Sequence, residues 1–458
     1  MTPARAEGEV ARRAFPRWER RRLDSGLTLL LVEKPGPPLV SFEVVVKAGA
    51  ARDPAGKEGL AATTFALLRK GTRRRSAQEF SALLDASGAL FGAAVDQDLA
   101  HLNGEFLSRD AEMGLGLVAE ALLSPTFPDD EVDKRLHLAI DGIRDQKDSP
   151  LSVIGRYYDA ALFDGHPYAR PIGGTEASLA AIRREEIAAF HEARVDPAEM
   201  ILVVAGVFDR EAMPAMVERA FAEARGASRP DARADERGAA APPETIPARG
   251  RRVVLVDKPD EETGYFRFGN LGIAFDDPAW VLANLARTVL GGCFTSWLNT
   301  ALRVDEGLTY GVHAEFSRRR RRGPFAISSF SRVDLVERAV GIAIAQLERL
   351  HAEGIDADTL RSAKNYVRGQ FPLAIETADQ LAEAFARFEA FGVPHEWLSE
   401  YLARVERATA DEVAEVARRV FPRGEDLVFT LIGPAERLAP VAERLGPVTR
   451  KRIADPGF

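Results

Sequence analysis

One phrase is written twice in this chain, and it limits the possible folds more than any other feature. An amphipathic helix (Glu185 to Arg194; Glu412 to Val420) leads through a proline to a short apolar strand. The strands are Met200 to Val204 before Ala205-Gly206, and Leu427 to Leu431 before Ile432-Gly433. Each copy closes one half of the chain, and the halves also open alike. The first opens with Leu27 to Val32 and Leu39 to Val46, with a Pro35-Gly36-Pro37-Pro38 turn between. The second opens with Val253 to Val256, a Lys258-Pro259 break and the alternating run Tyr265-Phe266-Arg267-Phe268. Short apolar or alternating runs bounded by Pro and Gly read as strands, here as a strand pair in each half. Ser76-x-x-Glu79 is a capping box for a helix that stops near Gly88, and Thr409-x-x-Glu412 opens another. The repeated order predicts two homologous α+β domains, each an antiparallel-rich sheet with helices packed on one face.

A chain of 458 residues is too long for one core. Residues 226–250 are rich in Ala, Pro, Gly and charge and lack apolar periodicity, so they read as a linker too polar to join a core. The expected layout is an N-terminal extension (1–19), a first domain (20–225), the linker, a second domain (251–447) and a tail (448–458). A net charge of −8 gives no global basic field, which argues against nucleic acid or an anionic membrane as partner. Cys293 is the only cysteine, so a disulfide framework and a thiolate-rich metal site are both excluded. The first 22 residues carry Arg5, Arg12, Arg13, Arg17, Arg20, Arg21 and Arg22 but no apolar core of a secretory signal. No later stretch has the roughly 18 continuous apolar residues of a membrane span, so a cytoplasmic location is expected.

The segment Gly59-Leu60-Ala61-Ala62-Thr63-Thr64-Phe65-Ala66-Leu67-Leu68-Arg69-Lys70-Gly71-Thr72 resembles the zinc-binding helix of the pitrilysin/insulinase family of peptidases, in its mitochondrial-processing-peptidase-like branch. In active members that helix reads His-x-x-Glu-His. Two histidines one turn apart hold zinc, and the glutamate polarises the attacking water. Matched by position, the ligands become Ala62 and Ala66 and the base becomes Phe65. The family's third ligand, a glutamate on a later helix, falls on Gly142, one residue from Asp141. A substrate-facing Asn of active members falls on Gly92. The seven histidines, His101, His137, His166, His191, His313, His351 and His395, offer no replacement, since no two lie within 24 residues of each other. Each is expected to be a surface or core residue.

A second segment, Leu290-Gly291-Gly292-Cys293-Phe294-Thr295-Ser296-Trp297-Leu298-Asn299-Thr300-Ala301-Leu302-Arg303 followed by Asp305-Glu306-Gly307-Leu308-Thr309-Tyr310-Gly311-Val312, resembles the Arg/Tyr segment of the family's second domain, with the family's spacing from Arg303 to Tyr310. A helix from about Thr295 to near Gly307 and a strand starting at Leu308 would let both side chains face one cleft. A guanidinium and a phenol are good donors to a carbonyl becoming an oxyanion, although an Arg near a helix C-terminus also complements the helix dipole and a Tyr opening a strand is often packing. The resemblance implies that the pair reaches a zinc-bound substrate.

Lesser resemblances are Gly165-His166-Pro167-Tyr168 with Gly173-Gly174-Thr175, and a strand from Ala93 to His101, containing Asp96 and Asp98, placed like the family's peptide-pairing edge. The arginine run Arg318 to Arg322 reads as a solvated hairpin loop, with a basic patch for an acidic partner as the alternative.

The resemblance covers roughly residues 20–445 and implies two domains closing like a clamshell. It further implies a non-catalytic subunit with no cofactor of its own, paired with a homologous HxxEH-bearing subunit that carries the zinc. This chain would bind peptide or unfolded protein and supply Arg303 and Tyr310. The alternative is a peptidase-derived binding or assembly protein with no proteolytic role.

Overall fold

The computed structural model describes residues 15–225 and 242–457. They form two compact units, and neither is one continuous stretch. The first gathers residues 15–141, 172–225 and 372–399, and the second gathers 142–171, 242–371 and 400–457. The halves read from the sequence are each the greater part of a unit. What they lack is one exchanged segment apiece.

The sheet of the first unit contains β1 (Arg17–Arg22), β2 (Thr28–Glu33), β3 (Leu39–Val46), β4 (Leu90–Val95), β5 (Ala100–Leu107) and β6 (Ile201–Gly206) in the order β1-β2-β6-β3-β5-β4. The strand pair expected from the sequence does not pair. β6 is inserted between β2 and β3, parallel to the former and antiparallel to the latter. Close approach at its end needs Gly206, at φ 115°, where an added Cβ would lie 2.3 Å from the Leu39 carbonyl oxygen. The second sheet repeats the plan with β7 (Arg252–Asp257), β8 (Thr263–Leu271), β9 (Val312–Phe316), β10 (Pro324–Arg332), β11 (Val428–Gly433) and β12 (Val448–Arg452), in the order β12-β7-β11-β8-β10-β9. Here β11 separates β7 from β8. Residues 17–19 and 448–452, read as extension and tail, are therefore sheet-edge residues.

A layer of helices packs on one face of each sheet, and the exchanged segment brings a further helix to the other face. In the second unit Val253 and Leu255 join a core with Val336, Ala339 and Val340 of the helix Val336–Glu353. The alternating Val254 and Val256 instead meet Val153, Ile154 and Tyr157 of the exchanged helix Pro150–Leu162. Successive residues of a strand point to opposite faces, so β7 is buried on both. In the first unit the exchanged helix is Ala378–Phe391, packed on β3 and β6. Both expected capping boxes form, at Ser76 and Thr409.

The arginine run is not a solvated loop. Arg318 to Arg322 are all half-buried. The Arg318 guanidinium lies 3.8 Å from the Trp280 ring centroid, and Arg319 pairs with Asp159 at 2.5 Å between the rings of Phe163 and Tyr168 at 4.9 and 5.0 Å. Arg321 donates to the Pro242 carbonyl and pairs with Glu244, and Arg322 donates to the Gly272 carbonyl. The run clamps the second unit internally. It also draws in the end of the expected linker, whose residues 226–241 lie outside the described residues. Ala248 is buried and donates its N–H to Asn270.

A buried polar group ties the exchanged helix to the first sheet. His101 Nδ1 on β5 is 2.7 Å from Glu43 Oε1 on β3, and its Nε2 is 3.7 Å from Asp96 Oδ2, which lies 3.0 Å from Arg387 of the exchanged helix. Burial opposes charge on the imidazole, but the Asp96 and Glu43 carboxylates prevail and push its pKa up to about 9. Asp96 is also desolvated, yet His101 and Arg387 hold it down at about 2. Burial raises Glu43. A raised histidine stabilises the fold fully below its ordinary 6.5, and that stability is lost as pH rises through about 9. The Asp96 contribution is present above 3.8 and is lost as pH falls towards about 2. The urea midpoint should therefore fall between about pH 6.5 and 9, with a loss on the order of 1–3 kcal/mol, and His101→Gln should flatten that slope. A slope unchanged in the variant would contradict the assignment.

Candidate functional site

The positions matched to a zinc helix do form a helix. Leu60–Ala66 starts after Gly59, with both oxygens of the buried Asp53 carboxylate accepting from the Gly59 and Ala61 amides at 2.8 Å. Ala62 and Ala66 lie one turn apart on its partly open face, while Phe65 is buried in the core. The position matched to the general base has become packing. Gly142 sits half-buried in the helix Asp129–Lys147, with nothing within 4 Å of an added Cβ. Two methyl groups, a phenyl ring and a glycine offer no metal ligand and no proton acceptor, so these residues do not fit a zinc ion. Among the described residues, no group of three or more His, Cys, Asp or Glu could hold one elsewhere.

Gly92 lies on the edge strand β4 opposite Asn103, whose Oδ1 would be 2.9 Å from an added Cβ. The expected strand from Ala93 to His101 is two strands. Asp96 and Asp98 lie in the turn between β4 and β5, so the exposed edge itself carries Leu90, Ala93 and Ala94.

Arg303 and Tyr310 come together in the second unit. The helix Trp280–Arg287 continues as a π-turn through Thr288–Gly292 and breaks at Gly291, where an added Cβ would lie 2.8 Å from both Ala314 Cβ and Leu298 Cδ1. The chain then runs extended through Cys293 and turns into Trp297–Asn299, a short helix continued by the π-helical segment Thr300–Asp305. Helical structure thus starts at Trp297 rather than Thr295. The following strand starts at Val312 rather than Leu308, which leaves Tyr310 in a loop at 76 % exposure.

That loop is pinned on both sides of the tyrosine. The Ser331 hydroxyl donates to the Leu308 carbonyl at 2.7 Å, and the Ser329 hydroxyl donates to the Gly311 carbonyl at 2.8 Å. The Arg303 guanidinium lies 4.4 Å from the Tyr310 ring centroid and 4.7 Å from that of Phe294. Among the described residues no carboxylate pairs with it and no hydrogen bond occupies its N–H groups.

The sequence reading did not single out Phe294 or Asn299. Asn299, buried and one turn before Arg303, donates its amide to the carbonyls of Cys293 at 3.2 Å and Val312 at 2.9 Å, and accepts from the Val312 amide at 3.4 Å. It staples the segment that bears Phe294 to the one that bears Tyr310. The available signal was a polar residue on the inward side of an otherwise apolar helical turn. Phe294 gave a weaker one, a large ring placed in a turn just past two glycines.

Two six-stranded sheets built on one plan, each covered by helices, define a two-unit α+β fold of the metallopeptidase type. The sequence model for Insulinase (Peptidase family M16) matches residues 28–176, and that for the Peptidase M16 inactive domain matches residues 181–367. The chain belongs to peptidase family M16. It is 26% identical over 416 residues to an uncharacterised zinc protease of Streptomyces coelicolor, covering 91% of this chain and 89% of that one. In fold it is similar to a protease from Helicobacter pylori (TM-score 0.85, 19% identity, 92% of this chain and 100% of that one). It is also similar to a peptidase M16 inactive domain from Pseudomonas fluorescens (TM-score 0.83, 22% identity, 91% and 98%).

Asn299→Ala removes a buried amide that bonds the backbone of Cys293 and Val312, which should cost about 1–3 kcal/mol in urea denaturation. A loss under roughly 0.5 kcal/mol, the range of an ordinary surface change, would show that the staple is dispensable.

Proposed function

We propose that this chain is the non-catalytic subunit of a two-chain zinc metallopeptidase. It binds peptide and presents Arg303 and Tyr310 to the active site of a homologous HxxEH-bearing subunit. The observation that carries this reading is the state of Arg303. An arginine half-buried against aromatic rings, with no counter-charge and no hydrogen bond among the described residues, keeps its N–H donors free for a ligand. Beside it the Tyr310 ring stands exposed. The positions matched to the metal ligands and base carry no such capacity, so the metal and its water belong to the partner. This chain contributes hydrogen-bond donors to the scissile carbonyl as negative charge develops on its oxygen.

Donors aimed at that oxygen act mostly in the transition state and should appear in kcat. The purified chain is expected neither to bind zinc stoichiometrically nor to cleave peptides, and to restore cleavage when mixed with its HxxEH-bearing partner. Arg303→Ala should lower kcat of the mixture by about 10²–10³-fold, the usual effect of losing one oxyanion donor, while co-elution on size exclusion is kept. Unchanged turnover in that variant would remove Arg303 from the chemistry and favour the binding or assembly role instead.

A further inference from the structure

Phe294 is an unusual residue to find where it is. Its ring is 61 % exposed, so it fills no core. It stands just past the Gly291 break, on a segment fixed from below by the Asn299 amide through the Cys293 carbonyl. Its one close partner among the described residues is Arg303, whose guanidinium carbon lies 4.7 Å from the ring centroid. Leaving a phenyl ring in water has no benefit of its own, and a turn of this kind would accept a polar residue.

A guanidinium is a flat cation with two distinct surfaces. Its faces attract aromatic rings, and its edge carries all five N–H donors. A ring against a face therefore restrains the plane of the group without consuming a donor. A carboxylate neighbour would do the opposite, holding the group through the same N–H edge that a substrate needs. Arg303 has an aromatic neighbour twice, its guanidinium carbon lying 4.7 Å from the Phe294 ring centroid and 4.4 Å from that of Tyr310, and among the described residues it has no carboxylate neighbour. Tyr310 has a hydroxyl to offer a ligand, whereas Phe294 has no polar atom and its close contact among the described residues is with the arginine.

We infer that Phe294 is a positioning residue of the Arg/Tyr site: its ring fixes the plane of the Arg303 guanidinium so that the N–H edge faces the bound carbonyl before the reaction begins. The inference rests on the proposed function, and it assigns Phe294 no contact with the substrate. Its test is a comparison of Phe294→Leu, which keeps an apolar side chain but has no ring, with Phe294→Tyr, which keeps the ring.

In the purified chain alone, the ring-current shifts of the Arg303 Cδ and Nε resonances should weaken in Phe294→Leu and persist in Phe294→Tyr, with unchanged thermal melts because the side chain is exposed. In the mixture with the HxxEH-bearing partner, Phe294→Leu should lower kcat about fivefold at constant KM, the factor matching roughly 1 kcal/mol of exposed cation–π attraction. Phe294→Tyr should restore it. A raised KM at constant kcat would mean that the ring holds substrate, and it would overturn the inference, as would resonances and turnover that ignore the leucine. Should Arg303→Ala leave turnover intact while the leucine still shifts the resonances, the stack exists but the proposed function fails, and the role given to Phe294 falls with it.

Discussion

Each sheet in this protein is covered on both faces, and the second cover is a helix taken from the opposite half of the chain. Val254 and Val256 would face water without Val153, Ile154 and Tyr157. The residues of β3 and β6 that meet the helix Ala378–Phe391 would be exposed in the same way. Double burial explains why β2, β6 and β11 are nearly continuous apolar runs rather than alternating ones. It also brings Arg387 of the exchanged helix to Asp96, in the turn between β4 and β5. The units are two in architecture, but neither half of the sequence contains all of one.

The two segments that resemble the family's sites differ in what they offer chemically. Leu60–Ala66 is a helix capped by Asp53, with Phe65 in the core and no metal-binding side chain at Ala62 or Ala66. Around Arg303 the chain keeps costly features that packing does not need. These are a cation with no counter-charge among the described residues, two exposed rings and a buried amide that holds their segments together. Arg303 is thus set in a site whose parts are coupled. The staple joins the segments, the segments carry the rings, and the rings flank the guanidinium.

Much of this was legible in the sequence because it is local. The capping boxes at Ser76 and Thr409, the strands ending at Gly206 and Gly433, and the seven-residue interval from Arg303 to Tyr310 are short-range patterns with direct physical meaning. What escaped was set by distant partners. That β6 would insert between β2 and β3 depends on pairing across more than 150 residues of chain. Five consecutive arginines look solvated until Trp280, Asp159, Phe163 and Tyr168 are brought to them. The helix Ala378–Phe391 has an ordinary amphipathic pattern that does not name the sheet it will cover. Phe294 escaped for a different reason, since its close partner among the described residues is a side chain nine residues away in a π-helical segment that the period of an α-helix does not describe.

The crossed helices have a consequence for how the protein is made. The ribosome delivers the strands of the first sheet by Gly206, yet the helix that shields its bare face lies within the segment that ends at Ser399. Through the intervening synthesis that apolar surface has no native cover, and the nascent chain must be protected by other means or remain loosely collapsed. Maturation is therefore a late, whole-chain event, in which both sheets close only when nearly all of the polypeptide has emerged.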